Sequence, residues 1–464
     1  MSGFRLLDLV KPFLPLLPEI ETPIERVTFD DKVLFTVSLG FVYLLAGLPI
    51  YGLPKDFALE SNPFLWLTPV FGAEPLTLLE LGLLPVVTAG FVFQLLAGLK
   101  YISVNLSVRL DRELFQTAQK LLSIVLSIVY TVILLVSGYY PPLASAGAYA
   151  FVGLQVAGTG IVFTLLSEIM DKGYGFGSGA LAFITLNVAT SIVTDVAGLD
   201  QVLVAPDTYE SRGVLVHLVR NILSSPIASL RTVCTRTHLA NLPQVVLALA
   251  TILVLIYFQN FRVELPIRST QLRKIYSAYP VRLMFTGSMP ILFAYTALFN
   301  IHLAGYFVAA VAPAPVATFV TDYVLYYLSP PPSLVGTLVS PIRTVVFGAF
   351  VVLSAVWFAS VWSLTSGSAG KELAAEFKKQ SIALNGKRDA SVIKELNKVI
   401  LTASVTGAAL LAVISLVTEY LGGLGKGAAV VIAVGAGFVF LEDFVSEFQQ
   451  GGTSQFASVL GGAQ

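Results

Sequence analysis

The sequence contains very few residues of the kinds that bind metals or form disulfides. Cys234 is the only cysteine among 464 residues, so no internal disulfide can form. The three histidines, His217, His238 and His302, lie far apart along the chain, which argues against a metal site. No Ser-His-Asp, Cys-His or His-Glu-x-x-His arrangement is present. The sequence therefore gives no support for an enzyme, and no cofactor is expected.

Charged residues are scarce as well. They form 12% of the chain, about half the usual share, whereas hydrophobic residues form 56%. Apolar stretches of roughly 17 to 25 residues recur along the chain, each long enough as a helix to cross a bilayer. Because these stretches are continuous and do not alternate with a period of two, they indicate helices and not a β-barrel. The predicted class is an all-α polytopic membrane protein.

Ten spans are predicted, five before and five after a polar stretch. This pattern predicts two pseudo-symmetric halves, residues 33–198 and 242–448, related as an inverted repeat and joined by a lumenal loop at 199–241. The N-terminal segment 1–32 lacks the pattern of a cleavable signal, and residues 449–464 form a tail. The predicted spans are 33–53, 76–98, 114–137, 147–170, 178–198, 242–260, 283–311, 341–364, 399–420 and 427–448.

The distribution of Lys and Arg predicts the orientation. Placing both termini in the cytosol leaves only seven of the 28 basic residues on the opposite side, as the positive-inside rule requires. Two of the cytosolic loops, 261–282 and 365–398, are strongly basic and are candidate docking loops. Ordinary positive-inside loops beside anionic lipid headgroups are the alternative interpretation.

Residues 55–75 contain an apolar piece, FLWLTPVFG, that is too short to span a membrane. It follows Pro63 and contains Trp66 and Pro69. A short helix at membrane depth is tolerated only inside protein or beside a water-filled cavity, so this piece is a candidate re-entrant plug. An interfacial segment anchored by Trp66 is the alternative.

The interiors of the predicted spans are nearly free of charge. A transporter or pump usually carries ionisable residues at mid-span, because a charge there costs about 2.5 to 3.5 kcal/mol or more and serves a purpose. The neutral residues Gln94, Asn187 and Asn300 are candidates for a pore or gate, or for simple helix–helix hydrogen bonds. The glycines of DKGYGFGSGA at 171–180 predict a tight turn and not a phosphate loop.

Two motifs carry a resemblance to a known family. TLLELGLLPVVTAGFVFQLL at 77–96 and LLSEIMDKGYGFGSG at 165–179 resemble signatures of the SecY family of protein-conducting channels. Asp171 departs from the Ser or Thr that is more common there. Residues 111–120, 261–270 and 384–400 resemble the eukaryotic translocon α subunit of the endoplasmic reticulum. The opening MSGFRLLDLVKP and LLAGLK at 95–100 look most like the second translocon α subunit of yeasts.

The resemblance implies an hourglass pore with an apolar ring at its waist, a plug below the ring, and a lateral gate. An apolar constriction gates by dewetting, since nothing in it rehydrates a small ion. Ala180 is smaller than the usual ring residue, which predicts a looser ring unless the plug at 55–75 compensates. The implied ring residues are Leu83, Val87, Ala180, Ile184, Leu292 and Ile432.

The resemblance also implies a polar cluster at the lateral gate, between spans 2 and 3 on one side and spans 7 and 8 on the other. Thr88 and Asn300 match family positions, whereas Tyr130 replaces a common Gln. The cluster therefore looks incomplete, and the threshold for opening by a signal sequence is expected to differ.

The docking loops match positions that contact the ribosome in related channels, so the resemblance implies a ribosome as partner; Lys and Arg suit it because they release counterions from ribosomal RNA. The implied contacts are Arg268, Arg273, Lys274, Lys387 and Arg388. Small single-span β and γ subunits, the signal recognition particle receptor, nascent polypeptides with their signal sequences, and membrane lipid are the other implied partners. The expected function is cotranslational passage of nascent chains across and laterally into the endoplasmic reticulum membrane. A small-solute secondary transporter and a non-conducting ribosome scaffold are the alternatives.

Overall fold

The computed structural model describes most of the chain. It covers residues 6–53, 62–99, 101–102, 109–143, 145–205, 208–222, 226–236, 239–269, 276–331, 333–365, 370–379, 382–384, 389–423 and 425–450.

The described residues are largely helical. The helices of the first half are α1 (Phe29–Leu45), α2 (Leu84–Gly98), α3 (Arg109–Val136), α4 (Ala146–Ile169), α5 (Gly179–Ala197), α6 (Val214–Ile222) and α7 (Pro226–Thr235). Those of the second half are α8 (Leu242–Gln259), α9 (Met289–Val311), α10 (Ala314–Phe319), α11 (Leu334–Val339), α12 (Pro341–Thr365), α13 (Gly370–Lys379), α14 (Asp389–Thr418) and α15 (Lys426–Gln450). Short 3₁₀ helices lie at Leu6–Leu16 and Thr68–Phe71, and π-helical turns at Met170–Tyr174, Val320–Leu325 and Glu419–Gly423.

Eight of the described helices are long and apolar enough to cross a membrane, and they match eight predicted spans. They are α3, α4, α5, α8, α9, α12, α14 and α15. The other two predicted spans correspond to α1 and α2, which have 17 and 15 residues.

The helix in span 2 starts later than the hydropathy predicts. The apolar run begins at 76, but α2 begins only at Leu84, with Pro85 in its first turn, where a missing N–H costs nothing. The preceding residues form turns, with positive φ at Leu76 (62°) and Gly82 (50°). A Cβ on Gly82 would lie 2.6 Å from the Phe71 carbonyl oxygen, so only glycine fits this approach. The early part of the run is used to contact the plug segment instead of extending the helix.

Side-chain caps fix the starts of several helices. Thr28 accepts a hydrogen bond from the Asp31 amide at the start of α1, and Ser145 accepts one from the Ala148 amide at the start of α4. At the start of α8, the Asn241 amide donates to Gln244 Oε1 (3.2 Å). Such caps satisfy amides that have no partner within the helix, typically contributing about 1 kcal/mol each.

Two small sheets lie outside the spans. In the loop at 199–241, β1 (Gln201–Ala205) pairs antiparallel with β2 (Thr208–Ser211). On the other side, β3 (Arg262–Ser269) pairs antiparallel with β4 (Tyr276–Arg282) and with β5 (Ile382–Leu384), in the order β4-β3-β5. The second sheet joins the two candidate docking loops into one structure.

Candidate pore and lateral gate

The predicted ring residues lie together in the core of the helix bundle. Leu83, Ile184 and Ile432 are 0% exposed, and Leu292 and Val87 are 2% and 5% exposed. All five belong to one cluster of buried hydrophobic side chains, and the half-buried Ala180 packs against it. The helices α2, α5, α9 and α15, together with the residue before α2, supply them. These side chains are almost inaccessible to solvent and form one apolar cluster; their role as a pore ring stays a prediction.

The described part of the plug segment, residues 62–75, lies against this cluster. Leu67, Val70 and Phe71 are 0% exposed. The Leu83 amide donates to the Phe71 carbonyl oxygen (3.0 Å), and a Cβ on Gly72 would lie 3.5 Å from the Cα of Ile184. The plug is therefore in direct contact with two ring positions. Residues 55–61 of the predicted plug lie outside the described residues.

The three residues predicted for the plug have different surroundings. The Trp66 ring contacts the rings of His302 on α9 (5.3 Å between centroids) and Phe347 on α12 (5.8 Å). Pro69 lies in the first turn of the helix Thr68–Phe71, whereas Pro63 is exposed. Since Trp66 packs between helices of the second half, the structure favours the re-entrant interpretation over an interfacial anchor.

The predicted gate residues form a connected hydrogen-bond chain. The Tyr130 hydroxyl on α3 donates to Asn300 Oδ1 on α9 (2.5 Å), and Asn300 Nδ2 donates to Thr88 Oγ1 on α2 (3.3 Å). Asn300 Nδ2 also donates to the Thr296 carbonyl (2.8 Å). The expectation that Tyr130 leaves the cluster incomplete is wrong, because its long side chain brings a hydroxyl to Asn300.

An aromatic contact zone, not foreseen from the sequence, lies along the same helices. The Phe91 ring of α2 contacts Phe293 of α9 (5.5 Å) and Phe358 of α12 (5.1 Å), and Phe293 contacts Trp362 (5.6 Å). The spacing of these residues resembles ordinary core positions, so the sequence offered no signal for them. We call the contacts of α2 and α3 with α9 and α12 the gate seam.

Gln94 lies beside the aromatic zone without completing a hydrogen bond to a neighbouring helix. Its Oε1 atom is buried and has no hydrogen-bond partner among the residues that the structure describes. It borders a small cavity that Phe91, Phe293 and Trp362 also line. A pore or gate role for Gln94 stays a prediction. Asn187 of α5 lies near the plug instead, because a Cβ added to Gly72 would lie 3.5 Å from the Asn187 Cβ.

Comparison with known proteins identifies the architecture. The SecY family profile matches residues 77–441, most of the chain. This chain belongs to the SecY family. It is 40% identical to the Saccharomyces cerevisiae "Sec sixty-one protein homolog" over 99% of both chains, and 33% identical to the Dictyostelium discoideum "Protein transport protein Sec61 subunit alpha" over 97% of this chain and 98% of that one.

The solved structures include a member of the same family. A chain of the idle yeast Ssh1 complex bound to the yeast 80S ribosome superimposes with a TM-score of 0.78, at 39% identity, covering 98% of both chains. The expected SecY fold, the similarity to the second translocon α subunit of yeasts, and the function of a protein-transport channel subunit of the endoplasmic reticulum membrane are thereby confirmed. The solute-transporter, scaffold and enzyme alternatives are not supported.

A second seam joins the halves of this SecY-family chain on a different set of helices. Asp195 at the end of α5 pairs with Lys426 at the start of α15. At the other end of α15, Glu447 accepts from Lys32 Nζ and Arg26 Nη2, both at 2.8 Å. We call the contacts of α1 and α5 with α15 the back seam.

The loop at 199–241, which connects the two halves, is organised around a buried arginine. Arg236 Nη2 donates to the Ser211 carbonyl (3.1 Å), and its Nε lies 3.4 Å from Glu210. His217 is buried beside it and hydrogen-bonds to Asn221 (3.1 Å). Burial, with the nearby Arg236 charge, lowers the pKa of His217 below its ordinary value of 6.5.

The candidate docking loops form one platform around a small apolar core. Ile267 of β3, Phe377 of α13 and Leu396 of α14 belong to the same buried cluster. Arg268 is exposed on β3, opposite Tyr276 of β4 and Ala383 of β5. The other four predicted contacts, Arg273, Lys274, Lys387 and Arg388, lie outside the described residues.

Proposed function

We propose that this chain conducts nascent polypeptides across the membrane through the apolar ring and releases apolar segments sideways through the gate seam during translation. The observation that carries the proposal is the hydrogen-bond chain Tyr130–Asn300–Thr88, which closes a seam beside a plugged apolar constriction. The plug contacts at Leu83 and Ile184 support assignment of the ring and of residues 55–75 as the plug.

The proposed orientation places both termini, and the platform of β3, β4 and β5, in the cytosol. The basic loops at 261–282 and 365–398 support this side, since cytosolic loops carry an excess of Lys and Arg. The platform is then free to receive a ribosome through Arg268, Arg273, Lys274, Lys387 and Arg388. Single-span β and γ subunits and the signal recognition particle receptor complete the proposed assembly.

A cross-link tests whether the gate seam opens during transport. In a Cys234→Ser background, Thr88→Cys and Asn300→Cys introduce two thiols at positions whose side chains now hydrogen-bond. Proteoliposomes carrying this protein are treated with a short bifunctional thiol reagent and then given ribosomes translating a secretory reporter. Protease protection of the reporter is expected to be lost on cross-linking. The two single-cysteine proteins are the controls and should stay active with the reagent.

Full activity of the cross-linked pair would contradict the assignment of this seam as the gate. Omitting the reagent separates this outcome from damage caused by the substitutions themselves, since the untreated double variant should translocate the reporter.

Cosedimentation with ribosomes over a salt series tests the platform. Arg268→Glu and Arg388→Glu are expected to bind more weakly than the parent at each salt concentration and with a shallower dependence on salt, because each removes a phosphate contact and adds a repulsive charge. Arg262→Glu is the matched control, since Arg262 lies at the opposite end of β3, across from Arg282. Equal binding by all three variants and the parent would contradict the proposal that the platform binds the ribosome.

A further inference from the structure

The segment between α9 and α12, residues 312–340, has an unusual composition for a loop. Asp322 is its only charged residue, whereas loops exposed to water usually contain about a quarter charged residues. The loop at 199–241 on the same side of the membrane is charged in the ordinary way. Its charged residues are Asp200, Asp207, Glu210, Arg212, Arg220, Arg231 and Arg236.

The helical part of this segment turns an apolar stripe away from the protein. Val316, Phe319, Tyr323 and Tyr326 are 45%, 58%, 60% and 43% exposed. Their spacing of three or four residues places them on one helical face. The Phe319 and Tyr323 rings stack on each other at 5.4 Å. A face of this kind is normally buried, so it indicates a surface that is covered by something outside the chain.

The opposite face of the same helix is held against α9. Leu325 lies against Gly305, where an added Cβ would come within 2.6 Å of the Leu325 side chain. The packing of this helix against α9 therefore fixes the direction in which the stripe is exposed.

Lipid is the occupant that the surroundings favour. The helical residues Ala314–Leu325 are apolar but too few to cross a bilayer. The exposed apolar surface continues through Leu338 and Val339 (76% and 78% exposed) onto Ile342 and Val345 of the spanning helix α12 (67% and 68%). Helix α12 is long and apolar enough to cross a membrane, and its Arg343 touches Tyr326, so the stripe adjoins an exposed apolar surface that a bilayer would cover.

Arg343 marks the polar boundary of this surface. Its guanidinium lies 4.4 Å above the Tyr326 ring, and it donates to the carbonyl oxygens of Ser329 (3.0 Å) and Pro330 (2.8 Å). Tyrosines and arginines at such a boundary are typical of the membrane–water interface, where amphipathic rings and long basic side chains place their polar ends at the headgroups.

We propose that residues 312–340 form an interfacial anchor that lies in the headgroup region of the leaflet opposite the basic loops, with the stripe Val316–Phe319–Tyr323–Tyr326 inserted among phospholipids. The segment joins α9 to α12, the two helices that form one wall of the gate seam. The placement in lipid is independent of whether the chain binds ribosomes.

Fluorescence quenching measures the depth of the stripe. Single cysteines are placed at Phe319 and Tyr323 in a Cys234→Ser background and labelled with bimane, and the protein is reconstituted in phosphatidylcholine nanodiscs. Asp200→Cys, in the charged loop, is the matched aqueous control. Leu353→Cys, 68% exposed on α12, is the control for the bilayer interior. Quenchers are aqueous iodide and lipids brominated either near the headgroup or near the chain end.

The expected result is quenching of Phe319→Cys and Tyr323→Cys by shallowly brominated lipid at least about threefold stronger than that of Asp200→Cys, with correspondingly weaker quenching by iodide. Iodide quenching equal to that of Asp200→Cys would overturn the proposal and make the stripe a docking surface for a protein. Quenching by deeply brominated lipid equal to that of Leu353→Cys would also overturn it, because the segment would then be inserted and not interfacial. Val316→Cys carries the same test if either aromatic substitution prevents folding.

Discussion

The gate seam and the back seam join the same two halves of the channel with different chemistry. The gate seam contains the neutral hydrogen-bond chain Tyr130–Asn300–Thr88 and aromatic contacts. The back seam contains ion pairs at both ends of α15, Asp195–Lys426 and Lys32–Glu447. Neutral hydrogen bonds within membranes contribute about 0.6 kcal/mol each, whereas those to charged groups in proteins contribute about 1.5–3 kcal/mol. The comparison therefore predicts that the fold opens at the gate seam, whose polar contacts cost less to break.

Reversing a charge in the back seam should produce the largest effect. Asp195→Lys places two ammonium groups together where the side chains are 13% and 29% exposed in the native pair. We expect a loss of about 2–3 kcal/mol and a fall in the midpoint of thermal unfolding in detergent of about 5 °C. The exchange Asp195→Lys with Lys426→Asp should restore most of the midpoint. A double variant no more stable than the single reversal would show that the pair does not hold this seam.

A substitution where the plug meets α15 should come next. Gly425 has φ +83°, and a Cβ there would overlap the Trp66 carbonyl oxygen. Gly425→Ala is expected to unseat the plug, with backbone strain of about 1–2 kcal/mol alone favouring the unseated state roughly fivefold to thirtyfold. Small-ion conductance in planar bilayers should rise accordingly. Gly437→Ala, on the helix α15 that follows Gly425, is the control, since nothing lies within 4 Å of its added Cβ. Equal conductance in both variants would argue against a seal at this contact.

Weakening the gate seam should have a smaller, graded effect. Asn300→Ala removes the side-chain hydrogen bonds to Tyr130 and Thr88, which together contribute about 1.2 kcal/mol, so the equilibrium should shift roughly sevenfold toward the open gate. Tyr130→Phe removes only the bond to Asn300, so its shift should be roughly threefold. Translocation of a reporter whose signal sequence has a shortened apolar core measures the shift. Both variants should transport this reporter better than the parent does, Asn300→Ala more than Tyr130→Phe. Transport of a reporter with a strong signal sequence should not change. Transport no better than the parent's would mean that the cluster does not set the threshold.

The smallest effect should come from pH at the loop that connects the halves. Because burial and Arg236 lower the pKa of His217, the folded loop binds fewer protons than the unfolded loop. The stabilisation of the folded loop by neutral His217 is present above pH 6.5 and is lost as the pH falls through the lowered pKa of His217. Hydrogen exchange in α6, corrected for intrinsic rates, should be faster at about pH 5 than at about pH 7.5. His217→Gln should remove this difference; a difference that persists would have another source.

Much of the fold follows from the sequence because hydropathy records which segments face lipid. The eight long spans were predicted within several residues of their observed bounds. The late start of α2 was not predicted, because Leu76 and Gly82 belong to an apolar run whose local conformation is decided by contact with Phe71. Pairing of β3 with β5 is a contact distant in sequence, which a single chain's pattern does not encode.

The candidate site was predicted mainly through family motifs. The ring positions and Thr88, Tyr130 and Asn300 came from motif alignment, and the structure brings each group together. Their assigned roles stay predictions. Whether the Tyr130 hydroxyl reaches Asn300 depends on the distance between α3 and α9. The aromatic zone around Phe293 depends on the packing of three helices. Residue types alone predict neither of these contacts.

The long helix α14 gives the platform of β3, β4 and β5 a mechanical consequence. It runs unbroken from Asp389, beside the sheet, to Thr418, whose hydroxyl hydrogen-bonds to Thr251 of α8 (3.1 Å). Thirty residues at 1.5 Å each make a rod of about 45 Å. A tilt of about 5° at the platform would displace the far end by roughly 4 Å, more than the length of a hydrogen bond. The rod is thus a lever, able to convert a small push on the sheet into sliding between helices on the far side of the membrane.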